Sequence, residues 1–518
     1  MALIKSAATV GGYTLVSRAL GFIRDMLTAA AVGTGPVAQA FVIAFRFPNL
    51  FRALFAEGAF NSAFVPMYAR RVGSGGEAAA RTFCEEIFAA LFAWLLLFTV
   101  LAELAMPVLM YAIAPGFGDE PITFDLSVAM TRIAFPYLLL MSLTAFLSGI
   151  LNSLRRFAAA AAAPILLNVI MIVTLLAVHA LGWRDEPATG FALVWGVFFA
   201  GIAQFALLWM ACRSEGVRLR LRWPRLTPDV RVLVNRGLPG VISGGITQVN
   251  LLIATMIATT IDRAVSYLYY ADRIYQLPLG VVGVAIGVVL LPDMSRKLGA
   301  GDEKAAMASQ NRALELAMFL TFPATIALMA IPLAVINVCF ERGAFTANDS
   351  LATATALAAF AAGLPAFVFN KVLLPGYFAR EDTQSPMRFA IVSVIVNIAL
   401  SFLLSHYIGH TGIALATAIA AWVNASQLGI VLSRRGHFVP DGRLKQRLLR
   451  IVLSGLAMGA VLLGSMMWLG DLFVGDAPLA LRAGGLGLLV ALGIGVYFGL
   501  AHVTGAMTIG EFRRLFGR

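Results

Sequence analysis

The sequence predicts an all-α polytopic membrane protein of about fourteen transmembrane helices, and three observations carry that prediction. The 518 residues are 60% hydrophobic and 13% charged, with a mean hydropathy of +0.86; a soluble domain carries about 25% charged residues. Apolar stretches recur from end to end, for example at 89–101, 165–176, 191–210 and 486–500. Every second connection between such stretches is basic. A span needs about 20 mostly apolar residues, so this length holds well over ten of them with short loops.

Apolar runs between charged or Gly/Pro breaks place the spans near 9–33, 37–68, 86–113, 124–151, 160–180, 188–211 and 233–260. The remainder lie near 265–292, 312–338, 350–378, 387–408, 411–432, 448–470 and 479–504. The connections test this division. Arg70, Arg71 and Arg81 follow the second span, and Arg155 and Arg156 the fourth. Arg213, Arg218, Arg220, Arg222, Arg225 and Arg231 follow the sixth; Arg296, Lys297 and Lys304 follow the eighth. Arg380 and Arg388 flank the connection after the tenth, and Arg434, Arg435, Arg443, Lys445 and Arg447 follow the twelfth. Arg513, Arg514 and Arg518 end the chain. The intervening connections are acidic or nearly neutral: Asp119, Glu120 and Asp125; Arg184 with Asp185 and Glu186; Asp262 with Arg263; Glu341, Arg342 and Asp349; Asp471 and Asp476. By the positive-inside rule both termini are expected in the cytoplasm, which requires an even number of spans.

The net charge of +12 is scattered over these connections rather than gathered on one domain. That spacing speaks against a nucleic-acid partner and for loops anchored at an anionic leaflet. Arg18 and Arg24 interrupt the first apolar stretch, so no signal peptide is expected and the segment is retained. Cys84, Cys212 and Cys339 are far apart, without CxxC or His-paired spacing. No disulfide framework, metal site or cofactor is expected.

A repeat crosses the chain. Around Pro66 it reads FVPMYARRVGSGGE and around Pro292 LLPDMSRKLGAGDE, so that Pro66, Arg71, Gly73, Gly75 and Glu77 map onto Pro292, Lys297, Gly299, Gly301 and Glu303 (292 − 66 = 226). Pro136 pairs with Pro365 and Asn168 with Asn397 at a nearby offset (365 − 136 = 229; 397 − 168 = 229). The unit is six helices, an even number, so the two lobes share one orientation. Parallel repeats of this kind are a transporter architecture, with the substrate site between the halves near midplane. The expected organisation is an N-terminal lobe at 1–212, a basic cytoplasmic linker at 213–232 and a C-terminal lobe at 233–435. Two further helices and a basic tail occupy 436–518.

A charge at the bilayer centre costs at least about 2.5–3.5 kcal/mol, so each needs a reason. The first span carries Arg18, Arg24 and Asp25, with Gly11, Gly12 and Gly21 as places to bend. At about 100° per residue Arg18 and Arg24 sit roughly 120° apart on a straight helix. The second carries Arg46, Asn49, Arg52 and Glu57 around Pro48. In the eighth, Ser266, Tyr269, Arg273 and Gln276 form a polar stripe at i, i+3, i+7 and i+10. Taken singly, each arginine reads as a structural ion-pair member: Asp25 can serve Arg24, and Asp272 can serve Arg273. Taken together, Arg18, Arg24, Arg52 and Arg273 exceed the nearby acids, and guanidinium forks match phosphate oxygens bidentately. A phosphate or diphosphate is therefore the natural guest. Glu103 with Arg132, and Asn370, Lys371, Ser393 and Asn397, read first as interhelical pairs and hydrogen bonds.

The runs SRALGFIRD, FRFPNLFRALFAEGAFNSAFVP, FPYLLLMSLTAFLSGILNS and YYADRIYQLPLGVVGVAIGVVLLP resemble the MurJ/MviN family of lipid II flippases, within the larger group of multidrug and oligosaccharidyl-lipid exporters. The resemblance runs collinearly from about residue 1 to 510, with AEGAF and YYADR the most specific segments. It implies fourteen helices in two lobes plus a terminal pair, a cationic cavity and alternating access. The implied substrate is undecaprenyl-diphosphate bearing the peptidoglycan precursor, moved across the bacterial inner membrane from cytoplasmic to periplasmic leaflet. The family's cavity arginines fall on Arg18, Arg24, Arg52 and Arg273, and Ser266 matches a polar cavity position. Gln39 stands where members often carry Asp, and Gln276 where Glu is common. These two departures make the cavity more positive and count against a carboxylate gate there. Gln39, Gln276 and Glu57 complete the expected substrate-binding set. Expected partners are lipid II, membrane lipids, a coupling ion or the membrane potential, and the cell-wall synthesis machinery.

Two other function classes bear on the same residues. Export of another lipid-linked oligosaccharide shares the arginine chemistry; export of cationic drugs does not. A membrane enzyme acting on the same lipid needs an acid, base or nucleophile beside the diphosphate and often a carboxylate cluster for metal. Neither such a cluster nor a loop long enough for a catalytic domain is visible in the sequence.

Overall fold

An apolar chain in a bilayer must satisfy its backbone within each segment, and helices do so. The computed structural model describes residues 2–55, 59–474 and 477–506, with side-chain surroundings described outside 2–9, 52–62, 238–244, 247 and 281–289. Among the described residues every regular element is helical. In chain order they are α1 (Ala2–Val32), α2 (Pro36–Phe55), α3 (Ala59–Leu104), α4 (Met106–Ile113), α5 (Pro121–Ala134), α6 (Tyr137–Ser153), α7 (Phe157–Ala180), α8 (Pro187–Ser214) and α9 (Pro228–Thr259). Then follow α10 (Ala264–Gly299), α11 (Glu303–Ala330), α12 (Pro332–Phe340), α13 (Ala347–Phe378), α14 (Gln384–Ile408), α15 (His410–Arg434), α16 (Gly442–Leu469) and α17 (Leu479–Val503).

Among the described residues, 10 helical segments are long and apolar enough to cross a membrane, and 248–259 is a shorter apolar stretch. They coincide with ten of the expected spans. The other four expected spans fall on α1, α2, α9 and α10, which carry the charges discussed above or side chains outside the described set. The second expected span is divided differently: α2 ends at Phe55, and 59–68 belongs to α3. α3 runs for 46 residues and breaks at Gly76, whose φ of 71° and ψ of −171° are open in practice to glycine alone. The basic stretch at 70–81 is thus helical on both sides of a glycine kink rather than a loop. The membrane assignment is visible in the surface as well. On α14, Ile395, Phe402 and Leu403 are 60%, 75% and 51% exposed. An apolar face of that extent is a liability in water and ordinary against lipid tails.

The chain packs into two compact units, Met1–Ser266 with Arg342–Phe345, and Tyr267–Glu341 with Thr346–Arg518. In the first, α1 packs on α7, α2 on α5, α6 on α8, and α3 on α6 and α9. Its cores are an aromatic cluster around Phe64, Phe83, Phe88 and Phe146 and a second cluster around Phe41, Met130, Tyr137 and Val194. Buried Gln204 bridges α8 to α7 by donating to the Ala163 carbonyl at 2.7 Å. Residues 342–345 join this unit because the Ala344 N–H donates to the Ala30 carbonyl at 2.9 Å. Gly343 meets the same strand of backbone so closely that a Cβ would collide with the Ala30 carbonyl.

In the second unit α15 packs between α13 and α14, and α11 lies between α13 and α16. Buried Tyr377 fixes α13 to α15 by donating to the Leu428 carbonyl at 2.7 Å, and buried Tyr497 ties α17 to α11 by donating to the Phe319 carbonyl at 2.8 Å. Asn370 and Ser393 donate to the Ala421 and Ala420 carbonyls of α15 at 3.4 and 2.6 Å, the interhelical role expected of them. Buried Glu315 accepts from Arg312, Arg443 and Arg447, which ties the base of α16 to α11. α13 begins in a capping box formed by Thr346 and Asp349.

Candidate functional site

α1 is helical without interruption over its described length, and its charges fall on different sides. Arg24 points to α7, where its side chain is 11% exposed. The guanidinium is held from both edges. Nη2 and Nε donate to Asp25 Oδ1 at 2.7 and 3.0 Å, and Nη1 donates to Asn168 Oδ1 at 2.9 Å. Asn168 is fixed in turn, its Nδ2 donating to the Ser17 carbonyl at 2.8 Å. The Arg24 Cζ lies 5.6 Å from the centroid of the Phe45 ring on α2, a cation–π distance. Gly21 leaves room here: a Cβ at that position would touch the Asn168 amide at 3.5 Å. Arg18 is exposed on α1 and, by the angular separation, faces a different way from Arg24.

On α2, Gln39 is 2% exposed in a stretch whose Val37, Ala38, Ala40 and Phe41 pack against Met130 and Val194. Its Oε1 has no hydrogen-bond partner among the described residues. Asn49 closes on its own helix, donating to the Phe45 carbonyl at 2.8 Å. Of the expected site residues, Arg52 lies on α2 with its side-chain surroundings outside the described set, and Glu57 lies outside the described residues.

On α10 the polar stripe is graded. Ser266 is fully buried, and its Oγ lacks a partner among the described residues. Tyr269 is buried, Arg273 half-buried and Gln276 exposed. The Arg273 Cζ stands 4.6 Å from the Tyr269 ring centroid one turn back, and Gln276 donates to Asp272 Oδ2 at 2.5 Å. The pairing expected between Asp272 and an arginine is replaced by this amide contact in the described geometry.

The structure therefore gathers Arg24, Asp25, Asn168, Ser17 and Phe45 at one point, and Arg273 with Tyr269 at another. Reading along the sequence pairs Asp25 with Arg24 but gives no sign that Asn168, 144 residues away, is the second partner. The available signal was an amide alone in the apolar run at 165–176. Glu103 and Arg132 do not close the expected pair: Glu103 Oε1 has no hydrogen-bond partner among the described residues, and Arg132 is exposed. Among the described residues no group of three or more His, Cys, Asp or Glu is placed to hold a metal ion.

A family model described as "Lipid II flippase MurJ" matches residues 28–482. The chain is similar to the probable lipid II flippase MurJ of Rhizobium tropici, 48% identical over 516 residues that cover 99% of this chain and 96% of that one. It is 33% identical over 518 residues to the lipid II flippase MurJ of Burkholderia cenocepacia, with 98% of each chain covered. A solved structure titled as lipid II flippase MurJ in an inward closed conformation superimposes with a TM-score of 0.78 at 24% identity, covering 98% and 99% of the two chains. An inward-facing MATE family transporter of the MOP superfamily superimposes at 0.67 with 15% identity, covering 83% and 96%. At these identities the two structures speak to the fold.

Proposed function

The chain belongs to the lipid II flippase MurJ family, and from that premise we propose that it carries lipid II from the cytoplasmic to the outer leaflet of the cytoplasmic membrane. It is a multi-pass transporter and not an enzyme. In this reading both termini face the cytoplasm, the mechanism is alternating access, and an ion gradient or the membrane potential drives it. Arg24, Arg52 and Arg273 take the diphosphate, with Arg18 alongside. Ser266 or Gln276 orients the headgroup, and Gln39 and Glu57 complete the polar lining.

The observation that carries the diphosphate assignment is the construction around Arg24. Asp25 and Asn168 hold the guanidinium in one orientation within an apolar helix pair. A fork fixed in advance loses little freedom when an anion docks, so more of the interaction appears as affinity. The planar guanidinium also matches phosphate oxygens in a way an ammonium does not. The experiment is binding of a short-chain polyprenyl diphosphate to purified Arg24→Lys, Arg52→Lys, Arg273→Lys and Arg46→Lys across salt concentrations. The first three should bind more weakly and Arg46→Lys like the parent protein. Equal binding by all four, with a fall in thermal stability instead, would make these arginines structural and move the substrate site elsewhere.

A further inference from the structure

Between α8 and α9 the chain runs without regular secondary structure from 217 to 227 and reads VRLRLRWPRLT. Leu219 is 8% exposed and joins the aromatic core of the first unit, but Leu221, Trp223 and Leu226 are 65%, 83% and 71% exposed. The segment is not loose. Buried Glu85 on α3 accepts the Arg220 backbone N–H at 3.1 Å and Arg222 Nε at 2.6 Å. Its far end is held by Arg71, whose Nη2 lies 2.5 Å from Asp229 Oδ1. The three exposed apolar side chains are therefore presented on a fixed backbone.

Three nearby carboxylates pair with other arginines: Glu85 with Arg222 and Arg81, Glu215 with Arg156, Asp229 with Arg71. Arg213, Arg218, Arg220 and Arg225 have no carboxylate partner among the described residues. Two of them meet at a cavity of about 220 Å³ lined by Trp209, Cys212, Arg213, Val217, Arg218 and Leu219 at the end of α8. Unneutralised guanidinium groups beside exposed Trp and Leu, immediately after a membrane-spanning helix, match the headgroup zone of a bilayer. Trp prefers that zone, and each arginine near an acidic leaflet gains about 1 kcal/mol, roughly fivefold in local partition.

We propose that residues 213–227 form an interfacial anchor for acidic phospholipid. Arg213 and Arg218 hold the lipid phosphate at the cavity, and Leu221, Trp223 and Leu226 enter the headgroup–acyl boundary. The proposal rests on the orientation given above only in assigning the lipid to the cytoplasmic leaflet. Its test does not depend on lipid II transport.

The test uses the full-length protein in vesicles and the Trp223 emission, obtained as the difference between the parent and Trp223→Phe, since the chain has 7 tryptophans. Brominated phosphatidylglycerol should quench it about twofold more than brominated phosphatidylcholine at the same mole fraction, reflecting local enrichment of the acidic lipid. Arg213→Gln/Arg218→Gln should abolish that preference, and Arg213→Lys/Arg218→Lys should retain it. Equal quenching by the two lipids, no quenching by either, or a preference that survives Arg213→Gln/Arg218→Gln would each overturn the proposal. So would loss of the phosphatidylglycerol preference when soluble glycerol phosphate is added in excess, which would mark a site for free anions.

Discussion

Arg24 and Asp25 are adjacent, and a regular helix sets their side chains about 100° apart. Their ion pair therefore bends the guanidinium across the surface of its own helix, and Asn168 from α7 fixes where it comes to rest. Removing that amide in Asn168→Ala should weaken diphosphate-analogue binding about tenfold, the value of one hydrogen bond to a charged group. Isothermal titration with unchanged helical circular dichroism is the check. The charged positions were legible in the sequence because charges in apolar runs are costly; the amide that positions Arg24 was not, since a contact across 144 residues leaves no local pattern. A different residue speaks to pH. Asp382, in the connection between α13 and α14, would be raised by burial, but the Ser385 hydroxyl and N–H and the Arg435 guanidinium outweigh this and lower it from its ordinary 3.8 to about 2. A carboxylate lowered on folding stabilises fully above about 3.8 and loses that contribution as pH falls towards about 2. Asp382→Asn should thus lower the melting temperature by roughly 1–3 °C equally at pH 7 and pH 5, with the deficit closing only near pH 2. Thermal unfolding at the three pH values reads this directly.

Helix α3 shows what periodicity conveys about an element and what it omits. Apolar runs and basic connections locate helical mass correctly along the chain, yet they place a loop at 70–81 where a helix continues through a glycine kink. Hydropathy reports exposure to lipid or water, and a polar stretch of helix leaving the membrane reads as a loop. Gly76 has nothing within 4 Å of a built Cβ, so substitution there meets no steric neighbour and only the backbone resists it. Gly76→Ala should cost about 1–3 kcal/mol in stability, seen as a lower thermal midpoint with secondary structure retained. Gly343 differs: its φ of 62° and its approach to the Ala30 carbonyl oppose any side chain. Gly343→Ala should release 342–345 from the end of α1, measurable as faster hydrogen exchange at the Ala344 amide, which donates to Ala30.

At the level of the whole molecule, fold class was the most legible property, because 60% hydrophobic content and alternating basic connections constrain a chain strongly in a bilayer. How helices group was less so. α9, expected to open the C-terminal lobe, packs against α3 and α2 within the first unit, a contact that depends on side-chain fit between distant segments and not on local composition. The central claim, that this chain moves lipid II and does so through its intramembrane arginines, is tested most directly by reconstitution. Purified protein is placed in vesicles carrying a fluorescent lipid II on one leaflet, and arrival on the other is followed with ion gradients and membrane potential imposed one at a time. The account predicts protein-dependent translocation under at least one of these conditions, with Arg24→Ala and Arg273→Ala slower by about tenfold or more at equal folded protein. Translocation no faster than in protein-free vesicles under every condition, or variants that match the parent, would contradict it.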